Sequence, residues 1–347
     1  MKWRAAIVGV GQAGVQGSAT NAAWKIGHVH AKTYLASDRF DLCAAADISQ
    51  GNLDYFIDLF PQVTSSHLGI DEMLTKVKPD VVSICTYAGT HAEMIRKCVA
   101  AGVKGIVCEK PLVSSPREMT AIRTLIAQSG VKLIVPHFRR YMPAFAHVGH
   151  RVGNGEFGAP VSFSAAIGKG WDLAEWGSHW MDMFRFLNND AMPDYVLAQA
   201  RVTDRRGFGH PIEDHAVAAM GFASGLTAYL EVGPKYLPDS LTMVLNYANA
   251  TIQIRNENHV TILGAGRSEA HDFSAGHDIL PAWGQLFDSL ARWLDGGPAS
   301  PLRFEIAAGT AETCFACYQS MISGDRIDLP LQSDVDVWPV ELLARPR

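Results

Sequence analysis

Lys110 is a residue whose type and surroundings point to proton chemistry. It follows the apolar run Gly105–Cys108 and Glu109, and it precedes Pro111. If that run is a buried parallel strand, the lysine lies at the carboxyl edge of a sheet, where ligands bind in open α/β folds. A cation there stabilises the alkoxide that forms when an alcohol loses its proton. Most lysines are exposed, so a surface residue that caps the loop is the alternative interpretation.

A second candidate group lies in the sequence Glu175-Trp-Gly-Ser-His179. Glu175 and His179 are four residues apart and share one face where this segment is helical. The imidazole can relay a substrate proton, and the carboxylate can hold its tautomer or accept a hydrogen bond from a substrate hydroxyl. A packed structural histidine is the alternative. Asp182, three residues further on, is expected to pack or cap within the helix.

The roles of two further sets of side chains stay open. Trp171, Trp176 and Trp180 can stack on the apolar face of a sugar ring at the mouth of a pocket, or form a hydrophobic lid or subunit contact. Arg139 and Arg140 can bind an acidic substrate, or serve as helix-capping or domain-bridging pairs.

A glycine turn at the start of a helix is the usual receptor for the pyrophosphate of a dinucleotide. The sequence Gly9-Val-Gly11-Gln-Ala-Gly14 supplies G-x-G-x-x-G after an apolar run. An acidic residue at the end of the second strand holds the ribose hydroxyls, and Asp47 follows the run Phe40–Ala46. The glycine motif alone is weak, because other α/β proteins use such turns. Its combination with Asp47 predicts a dinucleotide site.

The spacing within this predicted site is unusual. Asp47 lies 33 residues beyond Gly14, whereas the usual separation is about 20; Gly27 lies 20 residues before Asp47. We therefore expect an insertion at about residues 12–25, with Gly27 opening the first helix. The insertion is expected either to clamp the cofactor or to contact another subunit. Because Ile48 follows the carboxylate and no cation for a 2′-phosphate does, NAD is favoured over NADP.

The order of apolar runs predicts a two-domain protein. Five short runs alternate with helical patterns up to residue 136, which is typical of βαβ units and a parallel sheet. Beyond it, seven strand-like runs separated by turns predict a mostly antiparallel sheet, with helices at Trp176–Leu187, Pro281–Leu294 and Phe304–Ser323. We predict a Rossmann doubly wound domain over residues 1–136, and an α+β domain for substrate binding and oligomerisation over residues 137–347.

Composition limits the classes of partner. The 347 residues carry a net charge of −5, with 48% hydrophobic and 19% charged residues and no basic stripe. This predicts a globular protein that binds neither nucleic acid nor an anionic membrane. No signal peptide or bilayer-length apolar stretch is evident, and the six scattered cysteines suit a reducing compartment. A soluble cytoplasmic protein is expected.

No metal site is predicted. His30, His91 and His137 lie on separate connections without an acidic cluster, and they are expected to pack or cap. The segment His210–His215 is denser, but His215 begins an alternating strand. Cys314 and Cys317 fall in a helical pattern without a second pair of ligands, so core packing is expected there rather than redox or metal chemistry.

These motifs together resemble the glucose–fructose oxidoreductase and inositol dehydrogenase family, Gfo/Idh/MocA, over nearly the whole sequence. The segment Val107–Leu112 is similar to the family's C-E-K-P-L box, and Thr86–His91 is similar to its T-P-N-x-x-H turn, with Tyr and Ala in place of Pro and Asn. Glu175–Asp182 is similar to its D-x-G-x-H-x-x-D helix start, with Glu in place of the first Asp. Ile212-Glu-Asp214 also fits the family's pattern.

The resemblance implies a Rossmann domain, an open sheet on which subunits often pair, and hydride transfer between nicotinamide and a sugar or polyol carbon. A homodimer or homotetramer is expected. The catalytic residues are predicted to be Lys110, His179 and Glu175. The cofactor is predicted to contact the following residues: Gly9, Gly11, Gly27, Asp47, Thr86, His91, Glu109 and Lys110.

Two other functions remain as alternatives to a sugar or polyol dehydrogenase. One is a non-catalytic NAD-binding regulatory protein, which has no need of an acid–base pair such as Lys110 and His179. The other is a lyase or glycosidase-like enzyme that uses tightly held NAD transiently. Such an enzyme retains cofactor through purification and shows no net turnover of NAD.

Overall fold

The computed structural model describes residues 2–11, 25–168, 172–207, 210–233, 241–264, 266–276 and 278–344. The chain forms two compact units, Met1–Pro136 with Leu280–Ala308 and His137–Ile279 with Gly309–Arg347. Most of the predicted insertion at 12–25, with Gly14, lies outside the described residues, as does Trp171. No helix among the described residues combines the length and the apolar character that crossing a bilayer requires.

The first unit is built on a six-stranded parallel sheet with the order β3-β2-β1-β4-β5-β6. This is the strand order of a Rossmann fold. Every residue of β4 and β5 is buried, as expected for strands covered by helices on both faces. The strands are β1 (Trp3–Val8), β2 (Phe40–Ala46), β3 (Ser65–His67), β4 (Val81–Ile84), β5 (Gly105–Cys108) and β6 (Lys132–Ile134). The predicted fold class of this unit is confirmed, although β3 was not predicted.

Helices connect the strands of this sheet, and one further helix comes from late in the sequence. They are α1 (Ile26–Ala36), α2 (Gln50–Leu59), α3 (Ile70–Val77), α4 (Ala88–Ala100), α5 (Pro116–Ser129) and α8 (Leu280–Leu294). The rings of Trp283 and Phe287 on α8 pack on His30 of α1, with centroids 4.9 and 5.4 Å apart. The first unit therefore includes residues 280–308, whereas the predicted division at residue 136 placed them in the second domain. The reason is the aromatic face of α8, whose partners on α1 the sequence pattern does not identify.

The second unit contains a nine-stranded sheet with the order β16-β15-β14-β13-β7-β12-β11-β8-β17. Neighbouring strands are antiparallel except for the parallel pair β7 and β12. The longer strands are β7 (Pro160–Ile167), β8 (Tyr195–Arg201), β11 (His215–Gly221), β12 (Thr227–Val232), β13 (Leu241–Tyr247), β14 (Thr251–Arg255), β15 (His259–Gly264) and β16 (Arg267–Asp272). The short ones are β9 (Arg206–Gly207), β10 (His210–Pro211) and β17 (Ile327–Asp328).

Helices cover one face of this sheet's strands and complete the second unit. They are α6 (Pro143–Gly153), α7 (Ser178–Phe186), α9 (Phe304–Ser323, of which the first residues belong to the first unit) and α10 (Pro339–Leu343). Short 3-10 turns lie at Phe138–Tyr141 and Ser274–Gly276, and a π-helical turn at Leu173–Gly177 precedes α7. The predicted mostly antiparallel sheet flanked by helices is confirmed.

Candidate active site

Two of the glycines predicted for the cofactor turn, Gly9 and Gly27, lie where a side chain does not fit, because an added Cβ would meet backbone atoms. Gly9 has φ +87°, and a Cβ there would lie 2.8 Å from the carbonyl carbon of Cys85. A Cβ on Gly27 would lie 2.6 Å from the carbonyl oxygen of Gly9, so the start of α1 can approach β1 closely only without a side chain. A Cβ on Gly11 would lie 1.9 Å from Nδ2 of Asn52. Gly9, Gly11 and Gly27 thus form a glycine cradle, whose backbone fits the close approach that a dinucleotide requires.

Replacing Gly27 by alanine is expected to destabilise the protein by about 1–3 kcal/mol, because the new methyl group meets backbone rather than a movable side chain. The matched control is Gly284→Ala in the middle of α8, where an added Cβ meets nothing within 4 Å. That change is expected to stabilise by about 0.5–1 kcal/mol through helix propensity alone. Urea denaturation of both variants measures the difference. Equal effects of the two changes would contradict the steric explanation.

Asp47 follows β2 and is buried beside the glycine turn. Its Oδ2 atom accepts hydrogen bonds from the backbone N–H groups of Val10 and Gly11 at 2.9 and 3.0 Å. Its Oδ1 atom accepts from the backbone of Ser49 and from Nδ2 of Asn52, each at 3.0 Å. A carboxylate has about four acceptor positions, so these donors occupy its full capacity. Asp47 therefore lies where the sequence predicts a ribose-binding carboxylate, and it also holds the turn.

Lys110 follows β5 at the carboxyl edge of the parallel sheet, as predicted, and its peptide bond to Pro111 is cis. The carboxylate of Glu109 is buried between two partners. Its Oε2 atom accepts from the backbone N–H of Lys110 at 3.2 Å, and its Oε1 atom lies 3.0 Å from Nε2 of His30. Glu109 was predicted to contact the cofactor, and the structure also gives it an internal role in holding the lysine backbone.

His91 connects two turns at the same edge of the sheet. Its Nδ1 atom lies 2.8 Å from the carbonyl oxygen of Pro111, and its Nε2 atom lies 3.0 Å from that of Thr86. The Thr86 hydroxyl accepts a hydrogen bond from that of Thr90 at 2.7 Å. The ring of His91 thus fixes the turn that follows β4 next to the turn that follows β5. Both turns carry residues that were predicted to contact the cofactor.

In the second unit, Glu175 and His179 are both buried and lie on consecutive helical segments. Glu175 belongs to the π-helical turn and His179 to α7. The helical segment therefore begins at Leu173, three residues before the predicted start at Trp176, and its first turn is wider than that of an α-helix. Such π-turns are frequent at functional sites. The ring of His179 packs edge-on against those of His137 and Phe138, with centroids 5.5 and 6.0 Å apart.

A buried carboxylate fixes the start of that helical segment. Glu213 accepts hydrogen bonds from the backbone N–H of Leu173 and from the Tyr318 hydroxyl, the latter at 3.3 Å. Burial raises the pKa of Glu213 above its usual value. This role of Glu213 could not be predicted from the local sequence, because its partners are 40 and 105 residues away.

The open question of Arg139 and Arg140 is resolved toward structural pairing. The buried guanidinium of Arg140 donates two hydrogen bonds to the carboxylate of Asp182, from Nε at 2.7 Å and from Nη2 at 2.8 Å. Arg140 also forms an ion pair with Asp190 at 2.8 Å. Arg139 donates to Glu257. Burial works to raise the pKa of Asp182, but Arg140 and its neighbours outweigh it and hold that pKa below the usual value. Asp182 thus anchors α7 behind His179 rather than capping it.

The two described tryptophans of the predicted pocket mouth differ in environment. Trp180 is almost completely buried, with its ring 6.0 Å from that of Phe145, which is core packing. Trp176 is half-buried beside the ring of His179, at 6.1 Å. Trp176 is thus the better placed of the two to contact a ligand.

Among the described residues, no group of three His, Cys, Asp or Glu side chains is arranged to hold a metal ion. Cys314 and Cys317 are buried, and the sulfur of Cys314 lies 3.2 Å from that of Met181. Burial raises the pKa of both thiols, to about 12 for Cys317. These cysteines therefore pack in the core of the second unit.

The comparisons with known proteins agree with this architecture. Residues 3–137 match the profile of the oxidoreductase family with an NAD-binding Rossmann fold, GFO_IDH_MocA. The chain is 27% identical over 283 residues to the scyllo-inositol 2-dehydrogenase (NAD(+)) of Bacillus subtilis (strain 168). That alignment covers 74% of this chain and 77% of the relative. It is 31% identical over 209 residues to the inositol 2-dehydrogenase of Rhizobium meliloti (strain 1021), which covers 54% of this chain and 59% of that one.

A solved structure extends the likeness of fold to both units. The structure of a levoglucosan dehydrogenase in complex with NADH and levoglucosan superposes with a TM-score of 0.80 and covers 95% of this chain and 100% of that one, at 17% identity. At that identity the likeness concerns the fold alone. The Rossmann strand order and the glycine cradle agree with the match of residues 3–137 to the NAD-binding domain of the GFO_IDH_MocA oxidoreductases, and the similarity to scyllo-inositol 2-dehydrogenase extends beyond that domain.

Proposed function

We propose that this protein is an NAD-dependent dehydrogenase that acts on a CH–OH group of a cyclic polyol or sugar. The observation that carries the proposal is the position of Lys110, two residues after the end of β5 and at the same sheet edge as the glycine cradle of Gly9 and Gly27. Ligands bind at the carboxyl edge of parallel sheets. The inositol dehydrogenases to which the chain is similar support the class of substrate.

NAD would be held by the glycine cradle and Asp47, and its nicotinamide ring would supply the hydride acceptor. All four donors to Asp47 are engaged in this structure, so ribose hydroxyls that bind the carboxylate must displace one of them. Asn52 is the one side-chain donor of the four and can turn away without moving the backbone. The carboxylate also opposes a 2′-phosphate, which favours NAD over NADP.

Removing a hydride from an alcohol carbon requires removing the hydroxyl proton as well. In the proposed chemistry, the ammonium group of Lys110 stabilises the alkoxide, and the imidazole of His179 takes the proton. Glu175 holds the imidazole in the required tautomer or accepts a hydrogen bond from a substrate hydroxyl. A regulatory protein that only binds NAD has no use for this set of groups.

Turnover of a panel of inositols and aldoses, followed by absorbance of the reduced nicotinamide, tests the proposal. We expect net reduction of NAD with at least one cyclic polyol or sugar. The rate with NADP should be at most about one tenth of the rate with NAD, and a tenfold difference corresponds to about 1.4 kcal/mol of discrimination. Protein that purifies with bound NAD and shows no net turnover with the panel would support the lyase or glycosidase-like alternative instead.

We also propose that the open face of the nine-stranded sheet pairs with a second copy of the chain, giving a homodimer or homotetramer in the cytoplasm. Leu197, Ala219 and Tyr229 form one row across β8, β11 and β12, and Leu197 and Tyr229 are 47% and 52% exposed. Val217, on the same strand as Ala219, is also exposed. Apolar patches of this kind mark association surfaces. The unpaired cysteines of the described chain suit a reducing compartment.

Light scattering after gel filtration tests the pairing. Ala219→Lys, which places a charge in the centre of the row, is expected to convert the oligomer to a smaller species, since a buried unpaired charge is strongly unfavourable. Ile322→Lys on α9 is the control, because this apolar residue is also exposed but lies on a helix instead of the sheet. An unchanged mass for Ala219→Lys, or a wild-type protein that is monomeric, would exclude this interface.

A further inference from the structure

We infer that His30 is a positioning residue for Lys110, acting through the carboxylate of Glu109. This inference rests on the proposed function, because it assumes that Lys110 takes part in the reaction. Its basis is an uninterrupted series of hydrogen bonds inside the first unit, which begins on α1 and ends on the backbone of the lysine.

The series has four links. The hydroxyl groups of Tyr34 and Ser83 are 2.8 Å apart, and the Ser83 hydroxyl lies 2.9 Å from Nδ1 of His30. On the other side of the ring, Nε2 lies 3.0 Å from Oε1 of Glu109. The Oε2 atom of the same carboxylate accepts from the backbone N–H of Lys110 at 3.2 Å. Each ring nitrogen of His30 therefore has a different polar partner.

The surroundings of His30 leave its ring no second orientation. The ring is completely buried, and Trp283 and Phe287 of α8 pack against it. Because both nitrogens have polar partners and two aromatic rings pack against the imidazole, the ring directs one nitrogen at Glu109. The carboxylate is in turn held by a partner on each oxygen, which restrains the backbone from which the Lys110 side chain projects.

Stability does not account for this arrangement. A buried histidine and carboxylate have lost their hydration, and replacing such a pair by apolar residues of similar shape is often neutral or stabilising. Apolar residues at positions 30 and 109 together would avoid this loss of hydration. What an apolar residue cannot do is orient the carboxylate that precedes the lysine. Displacements of about 1 Å in catalytic geometry can cost about 10²-fold in rate.

Three variants of the full-length protein separate the positioning role from packing. His30→Phe keeps the ring but loses both hydrogen bonds. His30→Gln places an amide nitrogen close to the position of Nε2, so it retains the bond to Glu109. Tyr34→Phe removes only the outermost hydroxyl of the series and leaves the bond between His30 and Glu109 in place.

We expect His30→Phe to lower kcat by about 10- to 100-fold while KM and the Kd for NAD, measured by fluorescence titration, stay within about threefold. His30→Gln should recover most of the lost kcat, and Tyr34→Phe should lower kcat by a smaller factor than His30→Phe does. If His30→Phe does not fold, the comparison of His30→Gln with His30→Asn, which reaches Ser83 rather than Glu109, decides in its place. A kcat for His30→Asn equal to that of His30→Gln would then overturn the inference.

The same series distinguishes failure of the inference from failure of the proposed function. If Lys110→Met abolishes turnover and His30→Phe retains wild-type kcat with native stability, only the positioning role is wrong. If Lys110→Met itself retains turnover, the proposed role of the lysine is wrong, and the positioning role falls with it. A loss of NAD affinity in His30→Phe that parallels the loss of kcat would show that His30 supports the cofactor site as a whole, which also overturns the inference.

Discussion

Lys110→Met is expected to lower kcat by about 10²–10³-fold, the range typical of removing one group that stabilises a developing negative charge. Methionine keeps the length of the side chain and removes its charge, so the alkoxide loses its cationic partner. KM and the Kd for NAD should change little, because the loss concerns a charge that develops in the transition state. Steady-state kinetics with the substrate identified by the panel measure the effect.

Lys104 provides a matched control for that variant. It immediately precedes β5, whereas Lys110 lies beyond the opposite end of the same strand, and its ammonium group forms an exposed ion pair with Asp80 at 2.8 Å. Lys104→Met should leave kcat within about twofold and cost at most about 1 kcal/mol of stability. Turnover by Lys110→Met within tenfold of the wild type would remove the lysine from the mechanism.

Arg140→Met is expected to destabilise the protein by about 3–5 kcal/mol, because it leaves the carboxylate of Asp182 buried without its bidentate partner. Asp182 is completely buried, so water cannot replace the lost donors. The double variant Arg140→Met/Asp182→Leu removes both charges and should recover much of the loss. Urea denaturation of the three proteins measures the effect. A double variant as unstable as the single one would show that the ion pair itself contributes the stability.

The lowered pKa of Asp182 gives this network a definite pH dependence. The pKa of the carboxyl is lower in the folded state than in the unfolded chain, so the unfolded state binds the proton more readily. The stabilisation is therefore fully present above the unfolded pKa of about 3.9 and is lost as the pH falls through the folded value. Arg140→Met/Asp182→Leu should accordingly lose less stability on acidification than the wild type does.

The predictions from sequence were most accurate where a local pattern determines the structure. β2, β5 and α9 begin and end at the predicted residues, since each is a strong apolar run or a helical period bounded by clear turns. The glycine spacing also identified Gly27 correctly as the residue at the start of α1, because the distance from that turn to Asp47 depends only on the length of one βα unit.

The predictions were least accurate where distant residues determine the structure. β3 and β17 are only three and two residues long and exist through pairing with β2 and β8. The roles of His30 and Glu213 depend on partners 79 and 40 residues away, which no local period reveals. Histidine was expected to pack or cap at position 30. The structure shows that it packs and also joins a serine to a carboxylate.

The return of the chain to the first unit at residue 280 affects how that unit can be produced and how it folds. During translation, the ribosome completes the six parallel strands long before it synthesises Leu280–Ala308. Until then the rings of Tyr34 and Phe40, which Phe287 later covers at 4.5 and 6.0 Å, lack that covering. A nascent intermediate with exposed aromatic surface invites chaperone capture or aggregation. An expression fragment cut at residue 136 carries the same defect permanently, because it lacks the aromatic residues of α8.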